Sequence, residues 1–496
     1  MLSVIVFLPL VAAAALVALP RLGDRLARWA WVAVAAVDLA LIVILWARYD
    51  TPPAGGLAFA QQVDWIPGVN SSYHIGVDGL SLPLVAMTAV IFLACAVYAL
   101  RERHRPRGHA ALFLFLQTVS LGLFVAADLI LFFVFFDLSI VGMYFVIAGW
   151  GHGNRAHSAL KFFLYTFLGS LALLVGFIGL YVAAEPHTFD MPTLAAATPL
   201  AARPLAGGLV LAAILLGLAV KTPTVPFHTW LPPAHTDAPA VGSAVLAGVL
   251  LKMGTYGFVR IAMPMLPQAW RAWAWVIIAV GVVSVIYGAL VALAQTNLKR
   301  MVAYTSVNHM GYIVLAVGVA GLVAGDTMQA RTVAVTGAVT QMVSHGLITA
   351  ALFLLAGVLR ERAGTDDMHD YGGLAAPAPV FATLFAVGAF AALGLPAFSG
   401  FIAEFQIFTG SIAAAPATAV AVLGILITAA LFLRALQRVF TGETRGKSIG
   451  FTDLRAGERW SIGALLLLSL VIGVLPRPLL QVIEPAARTV VGLLGR

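Results

Sequence analysis

Long runs of apolar residues recur along the whole chain, separated by short segments where Arg, Pro, Gly and Asp collect. A hydrocarbon core of ~30 Å needs about 20 such residues per helix. On that measure the pattern predicts fourteen spanning helices, at 2–20, 29–47, 82–100, 110–127, 129–149, 161–184, 206–222, 238–262, 272–294, 300–324, 330–358, 378–411, 415–437 and 459–476. The first run lacks the positively charged lead of a secretory signal and is followed by Pro20-Arg21, so it reads as a retained helix. The longest loops, 48–81, 185–205 and 438–458, are too short to fold as extramembrane domains. The expected fold class is an all-α integral membrane protein with about 14 transmembrane helices. Lys and Arg concentrate in the loops after odd-numbered spans, Arg101, Arg103, Arg105 and Arg107 among them, against Arg48, Arg203 and Arg260 on the other side. That asymmetry puts the odd loops in the cytoplasm and both termini outside.

Two spans are interrupted. The seventh runs apolar to Val220 and then reads Lys221-Thr-Pro223-Thr-Val-Pro226-Phe-His228, where two prolines stop the hydrogen-bond ladder inside the membrane. The twelfth reads Gly394-Leu-Pro396-Ala-Phe-Ser-Gly400 and resumes apolar sequence up to Glu404 and beyond. Irregular backbone at membrane depth survives only where protein or a water-filled cavity surrounds it. Each break falls in the fourth helix of a five-helix unit if spans 4–8 and 9–13 are inverted repeats. The expected organisation is then 1–109 (spans 1–3), 110–262 (first repeat), 272–437 (second repeat) and 438–496 (loop, span 14 and tail). Paired broken helices point to a transporter's ion pathway, whereas a single proline kink would mean little.

Composition sharpens this picture. Hydrophobic residues make up 61% of the 496 positions and charged ones 10%, against about 25% charged in ordinary soluble chains. That balance excludes a soluble enzyme, a disordered tail and a nucleic-acid binder. Cys95 is the single cysteine, so no intrachain disulfide and no cysteine-ligated zinc or iron–sulfur site is expected. There is no phosphate-binding loop and no dinucleotide fingerprint, so the energy for transport comes from an ion gradient or from partner subunits. The net charge is +8, and only five of the 29 basic residues are lysine: Lys161, Lys221, Lys252, Lys299 and Lys447.

Ionisable side chains at bilayer depth are expensive and by default functional. Asp137 lies mid-span behind two phenylalanines, Lys221 stands at the first break, Lys252 lies deep in span 8, and Glu404 follows the second break. A buried lysine can gain or lose a proton when its partner moves, which an arginine cannot do. Ion pairs that merely fasten helices are the alternative for each residue alone. His309 and His345, in spans 10 and 11, are candidate proton relays. His228 and His235 flank Thr229-Trp-Leu-Pro-Pro after the first break, but no carboxylate or cysteine cluster supports a metal there. Lys161 opens span 6 and Lys299 with Arg300 opens span 10; both are expected to snorkel toward the cytoplasmic interface, with a place at the entrance of a proton path as the alternative for Lys161. Asp128 falls between spans 4 and 5. Asp38, alone in span 2, has no evident role.

The run from Lys221 to Ala240, Lys-Thr-Pro-Thr-Val-Pro-Phe-His-Thr-Trp-Leu-Pro-Pro-Ala-His-Thr-Asp-Ala-Pro-Ala, resembles the signature of antiporter-like subunits of respiratory complex I. Leu250-Leu-Lys-Met-Gly-Thr-Tyr-Gly, Asn297-Leu-Lys-Arg-Met-Val-Ala-Tyr-Thr-Ser-Val and Lys161-Phe-Phe-Leu-Tyr-Thr extend the likeness. Asp64-Trp-Ile-Pro and Gly76-Val-Asp-Gly-Leu-Ser-Leu-Pro resemble the M-type subunit in particular. The resemblance implies a non-redox subunit of a translocase, NADH:quinone oxidoreductase, carrying one proton channel of the respiratory chain. It implies that Lys221 and Lys252 are the family's lysines of helices 7 and 8, that Glu404 is the helix-12 carboxylate ending the channel, and that His309, His345 and His228 belong to the path. It also implies L-type and N-type neighbours in a bacterial inner membrane, with NADH, flavin, iron–sulfur clusters and quinone held by partner subunits. L-type subunits continue into a long lateral helix, so M-type is the better fit. The family usually has Glu in helix 5; the shorter Asp137 leaves open whether it pairs with Lys221 directly or through water. Pro-Pro-Ala-His replaces the more frequent Pro-Asp-Ala-His in the loop. A multi-subunit cation/proton antiporter and a membrane-bound hydrogenase share these motifs and are the rival expectations.

Overall fold

No water satisfies backbone N–H and C=O groups inside a bilayer, so apolar runs of this length fold as helices bonded within themselves. The computed structural model describes residues 1–19, 23–323, 325 and 327–495. The dipeptide Pro20-Arg21 and the expected span ends at 20 and 324 lie outside the described residues. Among the described residues, twelve helices are long and apolar enough to cross a membrane, from Asp24–Ala47 to Ala456–Val474. Each coincides with one of the predicted spans. The first predicted span is a 17-residue helix, Leu2–Ala18, with Pro9 inside it. The twelfth is two helices, Pro379–Ala392 and Ser399–Ala414, separated at the expected break.

Three helices form the centre. The most apolar stretches of Leu298–Val319 and Met328–Ala363 are wholly buried, and that of Ala240–Met265 is 94% buried, against 28% for Asp24–Ala47. Lys252, His309 and His345 are carried by these three helices and therefore face protein instead of lipid.

The connecting loops depart from expectation in four places. Residues 48–81 hold an antiparallel hairpin, Ala58–Ile66 with Ser71–Val77, in which Val63 faces Tyr73. Loop 185–205 contains a short helix, Met191–Ala197, whose first turn is capped by the Asp190 side chain. An amphipathic helix, Arg477–Leu493, follows span 14; its stripe of Leu479, Ile483, Ala487 and Val490 is buried while its polar face is open. Span 6 begins at Arg155, so Lys161 does not open it but sits nearly two turns inside. Arg155, His157 and Ser158 lie in the missing turn, which an apolar run cannot reveal.

The loops gather at two ends, by the parity the sequence suggested. At one end Ser71 donates to Asp128, His74 pairs with Asp190 at 2.6 Å, and Gly79 packs on the C-terminal helix at Val482. At the other, His152 bonds to Asp237, Trp150 to His104, and Leu298 to Asp366. An ion pair anchors the hairpin end: Asp78 Oδ1 accepts from the Leu80 and Ser81 backbone and from Arg260 at 2.6 Å. Arg260 also donates to Tyr256, whose hydroxyl donates to Phe124 O. Asp78→Ala leaves that guanidinium without its anion in a mostly buried place, so a loss of about 3 kcal/mol is expected. The thermal midpoint of the purified protein checks this, and an unchanged midpoint would show the pair to be idle.

Candidate functional site

The first break is built by its own motif. Pro223 has no N–H for the Ala219 carbonyl four residues back, and the Thr224 backbone takes that acceptor at 3.1 Å. The Val220 carbonyl, left over in turn, accepts from the Trp230 indole at 2.9 Å. Val225 N–H, outside any helix, donates to Ser284 Oγ. The helix Pro204–Lys221 thus ends inside the protein with its last groups satisfied, and Lys221 is its final residue. The central helix leans against this break at Gly254, where a Cβ would lie 2.3 Å from Thr222 Oγ1 and 2.9 Å from Leu218 O, so no larger residue fits.

Lys221 is 1% exposed and donates to Ser139 Oγ at 2.8 Å, with Nζ 4.8 Å from the centre of the Phe136 ring. Phe136 and Ser139 are three apart and share a helix face. Asp137, two residues before Ser139, is turned about 200° from it. The two charged residues therefore do not meet directly: among the described residues no ion pair joins Asp137 and Lys221. Asp137 lies half-buried on the same stripe as the exposed Val141 and Phe145, with one carboxylate oxygen lacking a hydrogen bond.

Around Lys252 the central helix contains two wide π turns, Leu246–Leu250 and Phe258–Ala262. Such turns free backbone groups and recur at functional sites. Lys252 folds back to donate to Ala247 O at 2.6 Å and meets His345 Nδ1 at 2.6 Å. The His345 and His309 rings stand edge to face at 5.2 Å, and His309 Nε2 lies 3.7 Å from Glu404 Oε1 and 3.1 Å from Ala392 O. His345 Nε2 and His309 Nδ1 have no hydrogen-bond partner. Both histidines and Glu404 line a cavity about large enough for one water molecule, completed by Gln341 and Ser344. Four predicted residues from four helices thus stand in a row, with a hydrogen bond between Lys252 and His345 and gaps of a water's width or less at the other two steps. A neutral imidazole accepts at one nitrogen and donates at the other.

The remaining predicted residues stand apart from it. His228 is buried in the first break, its ring 5.1 Å from Tyr287 and 6.2 Å from Tyr304. Lys161 is half-buried, with no hydrogen bond or ion pair among the described residues. Lys299 does not reach toward the interface: it is 1% exposed, donates to Ala238 O, and lies at the floor of a broad basin lined by Arg101, His152 and Arg360. His235, fully buried and stacked on Phe353, is coupled electrostatically to both Lys299 and Lys252, and neither ring nitrogen has a partner. Sequence reasoning weighed His235 only as a metal ligand and missed Ser139, because a serine in an apolar run carries no signal of its partner. Among the described residues no cluster of His, Cys, Asp and Glu could hold a metal.

A profile of the family described as "NADH:quinone oxidoreductase/Mrp antiporter, TM" matches residues 126–430. NADH-quinone oxidoreductase subunit M of Rickettsia prowazekii (strain Madrid E) is 38% identical over 430 residues, 86% of this chain and 84% of that one. A chain of respiratory complex I from Thermus thermophilus superposes with a TM-score of 0.87 and 31% identity, covering 100% of both. A chain of the Mrp complex from Dietzia sp. DQ12-45-1b superposes at 0.86 with 23% identity, covering 100% of this chain and 99% of that one, a likeness of fold.

Proposed function

This chain belongs to the NADH:quinone oxidoreductase/Mrp antiporter family, and from that premise we propose that it is a proton-translocating membrane subunit of NADH:quinone oxidoreductase. The observation that carries the mechanism is the polar line Lys252–His345–His309–Glu404. Protons are taken up from the cytoplasmic basin, pass Lys299 and His235 to Lys252, cross the two histidines and leave outward past Glu404. Lys221, Ser139 and Asp137 form a second element. When Lys221 swings from Ser139 toward Asp137, the charge near Lys252 changes, and the two positions differ in electrostatic energy. His228 lies in the break that such a swing would move, and Lys161 offers a second cation on the neighbouring helix.

A half-buried carboxylate beside an exposed apolar stripe is unfavourable at the edge of lipid. The stripe of Asp137, Val141 and Phe145 therefore supports contact with another membrane subunit, L-type or N-type in this reading. NADH, flavin, iron–sulfur and quinone chemistry belongs on this account to partner subunits. The two breaks support a division into 1–109, 110–262, 272–437 and 438–496 with the two central units inverted, in a bacterial inner membrane with both termini outside.

The test is proton translocation by the assembled complex in vesicles. NADH oxidation with quinone is expected to drive proton movement that needs no sodium, and Asp137→Asn to lower its yield per NADH without loss of assembly. Sodium-dependent flux in the absence of NADH would instead favour the antiporter.

A further inference from the structure

Asp38 lies off the polar line. It is fully buried midway along the helix Asp24–Ala47 and accepts from Gln117 Nε2 at 2.7 Å. Gln117, also fully buried, comes from the helix Pro106–Val125. The contact leaves one atom idle on each side, because neither Asp38 Oδ1 nor Gln117 Oε1 has a hydrogen-bond partner. With an ionised carboxyl both are acceptors, so two buried acceptors of one pair stand unserved.

No cation is placed to neutralise the carboxyl. The elements packed most closely on its helix are Leu2–Ala18, Ser81–Tyr98, Pro106–Val125 and the turn Ala99–Arg101. The titratable groups they carry are Cys95, Tyr98, Arg101, Arg107 and His109. The three basic ones stand at the basin end of the bundle, as do Arg25 and Arg28 on the helix of Asp38 itself. Arg28, the nearer of that pair, is ten residues or about 15 Å along the axis. Among the described residues no ion pair includes Asp38. A bare carboxylate at this depth is costly. A proton removes the charge and turns Oδ1 into a donor, and Gln117 Oε1 is the acceptor left open in the same pair.

Access is closed as well. The basin reaches Arg28 and His109 but neither member of the pair. Three packed rings stand between: Trp31 lies 5.0 Å from Phe113 and 5.7 Å from His109, and His109 lies 4.7 Å from Phe113, centre to centre. Trp31 and Phe113 are fully buried, about two turns short of Asp38 and one turn short of Gln117.

We propose that Asp38 is an occluded proton-binding site, a neutral acid held in an acid–amide pair with Gln117. Gln117 Nε2 donates to Oδ2, and the proton on Oδ1 donates to Gln117 Oε1. The proton is taken up when the helices come together and stays through turnover. The pair therefore joins spans 2 and 4 and takes no part in proton traffic, so it needs no step of the pumping reading above.

Infrared spectra of the assembled complex in vesicles test the proton directly. A neutral carboxyl has a carbonyl stretch that a carboxylate lacks. Wild type minus Asp38→Asn is expected to show that band in neutral and mildly alkaline buffer alike, with or without NADH. The asparagine amide supplies both an acceptor and a donor to Gln117, so Asp38→Asn should keep the thermal midpoint and NADH-driven proton release near wild type. Asp38→Leu leaves the Gln117 amide unpaired and should lower the midpoint. Absence of the band, or a band that comes and goes with NADH, overturns the proposal. Lost release from an Asp38→Asn complex that assembles with a normal midpoint overturns it too. If Asp38→Asn fails to assemble, Gln117→Asn decides: drawing the amide back by one methylene shifts the band of a neutral acid to higher frequency, and an unchanged spectrum overturns the pair. A wild-type complex with the band but without NADH-driven release would support this site while contradicting the translocase reading.

Discussion

Lys252→Met is expected to abolish NADH-driven proton pumping by the assembled complex while leaving its assembly intact. Methionine approximates the length and volume of lysine but carries no proton and makes neither the bond to Ala247 O nor the contact with His345. Replacing a buried charged group by an apolar one of similar volume is often neutral for stability. The site is fully buried within a helix surrounded by protein, whose packing on all sides keeps the fold in place around the apolar side chain. Transfer through a positioned acid or base is worth ~10²–10⁴-fold, which is the size of the loss expected here. Lys252→Arg is the stricter companion. It keeps a positive charge yet cannot release its proton at any accessible pH, so it should fail as well. Pumping by Lys252→Met vesicles at the wild-type rate, with the complex quantified by its content of this chain, would reduce the polar line to a scaffold.

The spans and both breaks were legible because the bilayer imposes a length on apolar runs, and because proline and glycine cannot be hidden within one. Lys221, Lys252, His309, His345 and Glu404 stood out for the same reason: ionisable residues at depth are rare. What the sequence did not carry is which of them meet. Whether Asp137 and Lys221 pair directly or through water was open in the sequence. The helical phase rules out direct contact, since Ser139 shares the Phe136 face and Asp137 does not. Lys252 escapes simple helical phase too, because the π turn at Leu246–Leu250 widens the spiral just before it. Lys299 was misjudged because its burial is made by a distant segment, whose Ala238 carbonyl receives it. The hairpin and the C-terminal helix were missed for want of length. Neither has an apolar run that spans a membrane, and each acquires its buried side only from packing on the bundle.

Gly394→Ala is expected to silence pumping through Glu404 without unfolding the protein. Gly394 has φ of +76° and opens the turn of the second break, where a Cβ would lie 2.4 Å from Glu404 Oε2. The carboxylate has little room to retreat. His309 Nε2 stands 3.7 Å from its other oxygen, and the start of its helix is tied through Ser399 to Ser344 and Ser469. The added methyl therefore displaces the carboxylate from its place beside the histidine, and a misplacement near 1 Å in a proton-transfer step can cost ~10²-fold. Backbone strain is a second consequence, about 1 kcal/mol for a side chain in the left-handed region. Gly364 isolates that part, because it shares φ of +76°, caps the helix Met328–Ala363, and has nothing within 4 Å of a Cβ. Gly364→Ala should thus lower the thermal midpoint by the strain alone, less than Gly394→Ala does, and leave pumping alone. Adding Glu404→Asp to Gly394→Ala withdraws the carboxylate by one methylene, so the double variant should pump better than the sum of the single losses allows, the signature of contact between the two sites. Wild-type pumping by Gly394→Ala, or losses that simply add in the double variant, would show that the position of Glu404 against His309 does not limit proton transfer.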